Sequence, residues 1–279
     1  MSRYRILDHK GLTNVFVFLL PAPCSLLPAS CSLLPASLTL NPKISMKNPI
    51  LLLGEDLLNL FYPRLCPACS TAGLPMDMVI CLDCQVHLPY TGYPVSADNP
   101  FSSRFWGRLP LVAGTALLSF SKGGRVQHVL HQLKYRGRQD VGVYLGKVLG
   151  AALRKAPAMQ DVDLILPIPL HSRRLKERGY NQSACFAEGL SESMGVPWSA
   201  DFLVRTRQTA TQTRKSRMER MENVAQAFEV VRPDDLAHKH VLLVDDVLTT
   251  GATLETCGEL LLQVPGLRLS LATIAIASE

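Results

Sequence analysis

One stretch of this 279-residue chain narrows its possible folds more than any other: Val241-Leu-Leu-Val-Asp245-Asp246-Val-Leu-Thr249-Thr250-Gly251-Ala252-Thr253. Its four consecutive apolar residues predict a buried strand over 241–244. That strand delivers two adjacent carboxylates to its carboxyl end, where open α/β sheets bind their ligands. A small, hydroxyl-rich turn follows and opens directly into a helix predicted over 254–263. Backbone N–H groups at a helix N-terminus, joined by the Thr249, Thr250 and Thr253 hydroxyls, form a cup for a phosphate dianion. Gly251 lets the backbone approach the anion with no side chain in the way. The two carboxylates do not suit that same phosphate. They suit the hydroxyls of a sugar attached to it, or the Mg2+ that accompanies polyphosphates. A helix in need of a cap alone is served by one Ser, Thr or Asp.

The rest of the chain alternates in the same manner. Leu111–Phe120 predicts a strand, 124–135 and 141–155 predict helices, and 163–169 a short buried strand followed by a basic loop. Residues 181–194 predict a helix, 196–204 a strand, 205–224 a long basic loop and 267–277 a last strand. Strands alternating with helices over roughly 160 residues argue for a parallel α/β sheet. Residues 92–110, rich in Gly, Pro, Ser and Asn, look like a linker.

The 241–253 segment resembles the phosphoribosyl-pyrophosphate (PRPP) motif of type I phosphoribosyltransferases: an apolar run, two acids, then Val-x-Thr-Thr-Gly-x-Thr. The resemblance implies an α/β fold, a parallel sheet flanked by helices. It implies that Asp245 and Asp246 hold the ribose, with Mg2+ nearby, and that Thr249, Thr250, Gly251, Ala252 and Thr253 cradle the 5-phosphate. Such a ligand also carries a pyrophosphate, which needs cations. After the short strand, His171-Ser-Arg173-Arg174-Leu-Lys176-Glu-Arg178 supplies four of them within six positions. Arginine forks match phosphate oxygens well, although a solvated basic turn has the same composition. A second basic segment runs from Arg205 through Arg207, Arg214, Arg217 and Arg220 to Asn223. A loop of that length in a compact domain reads as a lid, and one rich in Arg would close over a departing pyrophosphate.

Both basic segments resemble the ComF family of phosphoribosyltransferase-like proteins, which is associated with DNA uptake in natural competence. The family pattern falls on Pro167 to His171, on Arg178-Gly-Tyr-Asn-Gln182, and on Arg205, Thr209, Gln212, Arg220 and Asn223. Lys134-Tyr135 and the paired cysteines described next fit as well, so the resemblance spans about residues 57–277. It implies PRPP and Mg2+ as ligands, an unidentified acceptor, and single-stranded DNA or competence proteins as partners.

Eight cysteines are present, and four are organised as Cys66-Pro-Ala-Cys69 and Cys81-Leu-Asp-Cys84, with eleven residues between the pairs. Each CxxC turn presents two thiolates to one ion, and two turns complete a closed tetrahedral shell, which is a structural site. Zn2+ is the expected ion, with mononuclear iron or redox disulfides as the alternatives. A secreted disulfide framework would spread its pairs over a small, loop-rich chain, so this pattern points to a reduced, cytoplasmic setting. His87, three residues past the last thiol, is expected at solvent, as are His128 and His131; Cys185 and Cys257 are expected to be packing residues.

Residues 1–45 differ from the rest. Cys24-Ser-Leu-Leu-Pro-Ala-Ser30 recurs word for word over residues 31–37, and prolines at that spacing do not propagate a helix. Arg3, Arg5 and Lys10 before the apolar residues 15–20 suggest a secretory leader, but no small-x-small cleavage site follows. The favoured reading is a low-complexity extension, disordered or ahead of a true start at Met46. The expected organisation is therefore 1–45 extension, 46–100 a helix (residues 50–61) plus zinc ribbon, and 108–279 the phosphoribosyltransferase domain. No apolar run reaches the ~20 residues of a membrane span. The net charge of +6 names no nucleic-acid partner, since Arg3, Arg5, Lys10 and Lys43 against Asp8 put half of the excess in residues 1–45.

Two functional readings follow. One is an enzyme that transfers a phosphoribosyl group from PRPP, with Asp245, Asp246, Arg217 and Arg220 as catalytic residues and Arg173, Arg174 and Arg178 joining the Thr-Gly turn in binding PRPP. The other is a non-catalytic PRPP sensor or scaffold whose zinc ribbon recruits the DNA-uptake machinery. The acceptor hood is expected near residues 111–135 or on the last strand. Both readings fail if the paired acids are salt-bridged inside the protein with no cavity beside them.

Overall fold

The structure is a computed structural model, and it describes residues 63–205 and 227–277. The N-terminal extension, the helix expected over 50–61 and most of the second basic segment, including Arg217 and Arg220, lie outside the described residues. In chain order the elements are α1 (Leu82–His87), β1 (Leu111–Phe120), α2 (Arg125–Tyr135), α3 (Gln139–Leu153), β2 (Leu164–Pro167), α4 (Ser172–Arg178), α5 (Gln182–Met194), β3 (Leu203–Arg205), β4 (Phe228–Val230), β5 (His240–Leu248), α6 (Ala252–Leu262) and β6 (Arg268–Ala277).

Among the described residues β1, β6, β5 and β2 form a parallel sheet in that order, and β3 pairs antiparallel with β4. The central strand β5 reads as a continuous apolar run because both of its faces are covered. Leu242 and Val244 enter one buried cluster with α2, α3 and α5, while Val241 and Leu243 enter another with α6, Phe101 and Phe105. Cys66, Ala68, Ile80, Cys84 and Leu88 belong to the first cluster, so the cysteine-bearing segment packs into the same core as the sheet. Among the described residues no helix is long and apolar enough to cross a membrane.

The close pairing of α3 and α5 sets the position of everything α5 carries, and glycines make it possible. Gly142, Gly146 and Gly150 stand one turn apart on α3, facing Cys185, Phe186 and Ser193. A methyl group on Gly142 would come within 2.8 Å of Cys185 Cβ, and one on Gly189 would collide with the Val143 carbonyl oxygen. At the opposite end of the sheet from the acidic pair, the fully buried His240 is held on both sides. Its Nδ1 lies 2.8 Å from Asp161 Oδ1 and its Nε2 2.8 Å from Ser270 Oγ. Hydrogen bonds from His240 and Arg268 hold the Asp161 carboxyl down at about 2.

Several expectations change. The 92–110 segment is not a linker. Asn99 donates to Gly114 O and Pro94 O, each at 2.7 Å, and accepts from the N–H groups of Phe101 and Ser102, each at 2.8 Å. Phe101 and Phe105 are fully buried, so a turn-rich composition here is a strap whose own side chain satisfies its backbone. The basic loop after β2 is the helix α4, started by His171, whose Nδ1 accepts from Arg173 N–H, and ended by Gly179 at φ 80°. The strand expected over 196–204 shrinks to β3 plus one bridge from Trp198 to Ile165. β5 runs past Val244, so both acids lie within the paired strand, with Asp245 opposite Thr273 of β6.

Gly189→Ala should lower stability by about 1–3 kcal/mol through the forced separation of α3 and α5. Urea denaturation checks it, and Ala151→Ser on the exposed face of α3 should leave the midpoint unchanged.

Candidate functional site

The site begins with two like charges that β5 places side by side. Asp245 Oδ1 accepts from Ser183 Oγ at 2.9 Å and from the Asp246 backbone N–H at 2.8 Å. Burial pushes the Asp245 carboxyl up to about 7, and the neighbouring Asp246 charge adds to the shift. Asp246 takes the other solution to the same problem: its Oδ2 lies 2.7 Å from Lys134 Nζ at the end of α2.

The Arg178-to-Gln182 stretch positions these partners. Asn181 caps α5 by accepting from Ser183 N–H, and its Nδ2 donates to Ile168 O just past β2. Arg178 Nη1 donates to Gln182 Oε1 at 2.7 Å, and the guanidinium stands 5.0 Å over the Tyr135 ring. Ser183 had no motif signal of its own in the sequence, and Lys134 was visible only as half of a dipeptide. Both meet the acids through tertiary packing.

Beyond β5, the turn into α6 is open. Thr249, Thr250 and Ala252 are exposed and Thr253 is half-buried. Gly251 is the N-cap at φ 82°, in the left-handed region, and a Cβ there would sit 3.2 Å from Phe105. Gly251 itself offers the first turn of α6 no side-chain cap, and Thr250 Oγ1 accepts from the Ala252 N–H at 3.5 Å. Arg104 steadies the turn by donating to Thr249 O at 3.0 Å and to Ala277 O at 2.9 Å.

A basic cavity of about 370 Å³ lies between α2 and α4, lined by Lys134, Tyr135, Gly137, Arg174, Glu177 and Arg178. Of the two acids Asp246 is thus ion-paired, through a lysine that itself lines a cavity. Arg174 and Arg178 are brought to this cavity. Arg173 is not among its lining residues: it bonds Glu177 at 2.9 Å and lines a separate open depression with Ser172 and Lys176. That division arises because the basic run is a helix, which sends successive arginines in different directions.

The four CxxC thiols converge, with all Sγ atoms within 4.8 Å of one another and Cys69 Sγ 3.7 Å from Cys81 Sγ. A tetrahedral ion with Zn–S bonds of about 2.3 Å sets sulfur atoms about 3.8 Å apart, so the thiols fit a zinc site. The Thr71 hydroxyl and backbone lower the Cys69 thiol to about 6, toward the thiolate a metal needs. His87 is exposed and pairs with Asp83, and His128 and His131 are exposed on α2. Cys185 and Cys257 are buried in α5 and α6, and burial raises both thiols, Cys185 to about 11.

Residues 181–277 match the family model described as the phosphoribosyl transferase domain. The chain is 32% identical over 207 residues to DNA utilization protein YhgH of Escherichia coli O157:H7, covering 71% of this chain and 84% of that protein. It is 31% identical over 137 residues to Competence protein F of Haemophilus influenzae, covering 48% of this chain and 60% of that one. It is 24% identical over 201 residues to Competence protein ComFC of Bacillus subtilis, covering 72% of each.

Because Asp245 titrates near 7 when folded and near an ordinary ~3.9 when unfolded, its burial should weaken the fold as pH rises from about 4 through 7. Asp245→Asn keeps an acceptor for Ser183 and cannot ionise. Its stability relative to the parent should therefore match at pH 4, grow to pH 7 and then level off; a flat difference across chemical-denaturation curves would contradict the assignment.

Proposed function

The chain belongs to the ComF family of phosphoribosyltransferase-like proteins, and from that premise we propose that it binds PRPP with Mg2+ at the carboxyl ends of β2 and β5. One observation carries the reading: the acidic pair of β5 meets a basic cavity through Lys134, and β5 runs on from that pair into the Gly251-led turn of α6. Thr249 to Thr253 and the backbone N–H groups of α6 receive the 5-phosphate. Asp245 and Asp246 take the ribose hydroxyls, and the pyrophosphate lies in the cavity against Arg174 and Arg178. The same two carboxylates would hold Mg2+, which supplies charge neutralisation for the pyrophosphate when bound.

In the reaction of this class, the bond from the anomeric carbon to the pyrophosphate oxygen breaks as a bond to the acceptor forms. Positive charge develops on the sugar and negative charge on the leaving group. The guanidinium groups of Arg174 and Arg178 face the developing negative charge, and the acids hold the sugar so that its anomeric carbon stays in place. Arg217 and Arg220, outside the described residues, are proposed as further cations for this leaving group. For the acceptor we assign a cavity of about 330 Å³ at the ends of β1 and β6, lined by Tyr93, Ser103, Arg104, Ser119 and Ile276. Arg104 ties that cavity to the phosphate turn.

The four-cysteine cluster is assigned one structural Zn2+. The relatives named for DNA utilization and competence support a role in handling incoming DNA, with single-stranded DNA or competence proteins as partners. We propose the cytoplasm as its setting, because a four-thiol metal site needs reduced cysteines.

Isothermal titration with Mg2+-PRPP should give saturable heat, lost or weakened by about 10-fold or more in Asp246→Asn. Silence from the intact protein defeats the reading. Release of pyrophosphate with candidate acceptors identifies an enzyme, whereas binding without release identifies a sensor. Elemental analysis should find about one zinc per chain. Cys66→Ser should lose it and lower the melting temperature, because Cys66 is buried in the shared core.

A further inference from the structure

Lys134 faces two ways. Its ammonium lies 2.7 Å from Asp246 Oδ2, with side chains only 24% and 18% exposed, and it also lines the cavity that holds Arg174 and Arg178. Asp245 draws on other donors, the Ser183 hydroxyl and the Asp246 N–H, so the charge that Lys134 answers is that of Asp246. The end of α2 is itself fixed to the cavity, since Arg178 sits over the ring of Tyr135, the next residue. One ammonium cannot serve a carboxylate and a polyphosphate at full strength, because Coulomb attraction falls with distance and is shared between them.

Resting on the PRPP reading above, we propose that Lys134 is an exchangeable counterion: it neutralises Asp246 in the ligand-free protein and turns to the pyrophosphate group when that group enters the cavity, leaving Asp246 open to a divalent cation. Lysine suits this task. It is a compact charge on a flexible four-carbon stem with three rotatable donors, where an arginine fork would lock onto a carboxylate. The consequence is thermodynamic coupling: an anion in the cavity strengthens cation binding at the acids, and the cation strengthens anion binding by the same factor. The exchange also spares the ligand-free fold an uncompensated carboxylate beside Asp245.

Titration calorimetry on the full chain tests the exchange with two separate probes, MnCl2 alone and, in EDTA, inorganic pyrophosphate alone. Lys134→Gln should bind Mn2+ about tenfold more tightly, since its competitor is gone, and pyrophosphate about tenfold more weakly. Because a fixed ammonium would also shift the two affinities in opposite directions by its charge, the deciding readout is coupling: pyrophosphate should tighten Mn2+ binding several-fold more in the parent than in Lys134→Gln, and equal coupling in both overturns the inference. Asp246→Asn gives a second arm if Lys134→Gln does not fold: freed from its partner, Lys134 should tighten pyrophosphate binding several-fold, and an unchanged or weakened affinity overturns the proposal. A parent protein that binds PRPP while its variants lack these opposed shifts sinks the exchange alone. A parent that binds neither PRPP nor pyrophosphate sinks the PRPP reading and the exchange together.

Discussion

Two carboxylates next to each other on a buried strand repel, and the surrounding structure is arranged to contain that repulsion. The protein uses two devices at once. Asp245 is given a serine hydroxyl and a backbone N–H in a site that favours its neutral form, while Asp246 is given a lysine. Each device comes from a different helix, so the acidic pair cannot exist without α2 and α5 packed where they are. A half-buried site that sets like charges side by side in this way favours a cation or a hydroxyl-rich ligand.

The glycine contacts between α3 and α5 are the mechanical counterpart of that electrostatic arrangement. Ser183 and Asn181 stand at the start of α5, and the depth to which α5 sinks into α3 sets how far they reach toward β5. The opposite end of the sheet is closed by a different kind of contact, the buried His240 between Asp161 and Ser270. One end of β5 is therefore locked by hydrogen bonds that satisfy every partner, and the other carries unequal charges that a ligand can complete. The cysteine-bearing segment shares this core through Cys66, Ile80 and Cys84, so the four-cysteine cluster packs against the same layer that supports α2 and α5.

Elements with strong local signals were legible in advance. β1 occupies the predicted 111–120, and α2, α5 and β6 start and stop within a residue or so of expectation, because capping residues and apolar runs mark their ends. Errors gathered where side chains complete a turn from a distance. The 92–110 strap reads as a linker because Asn99 satisfies it with contacts to Gly114, which local composition does not reveal. The basic run after β2 reads as a loop because its charges hide a short helix capped by His171.

The pattern along the chain was enough to establish a parallel sheet, an acidic strand leading through a hydroxyl-rich turn into a helix, and four cysteines in two close pairs. Those conclusions rest on periodicity and spacing, which are local properties of a polymer. Which cation answers which acid is a different matter. Lys134, Ser183 and Asp246 are separated by up to more than a hundred positions, and their meeting depends on how closely helices stack on the sheet. The same holds for Arg173 and Arg174, neighbours in the chain that a helical turn sends to separate cavities. Electrostatic partners act over a few ångströms of space, and only packing brings distant residues that close.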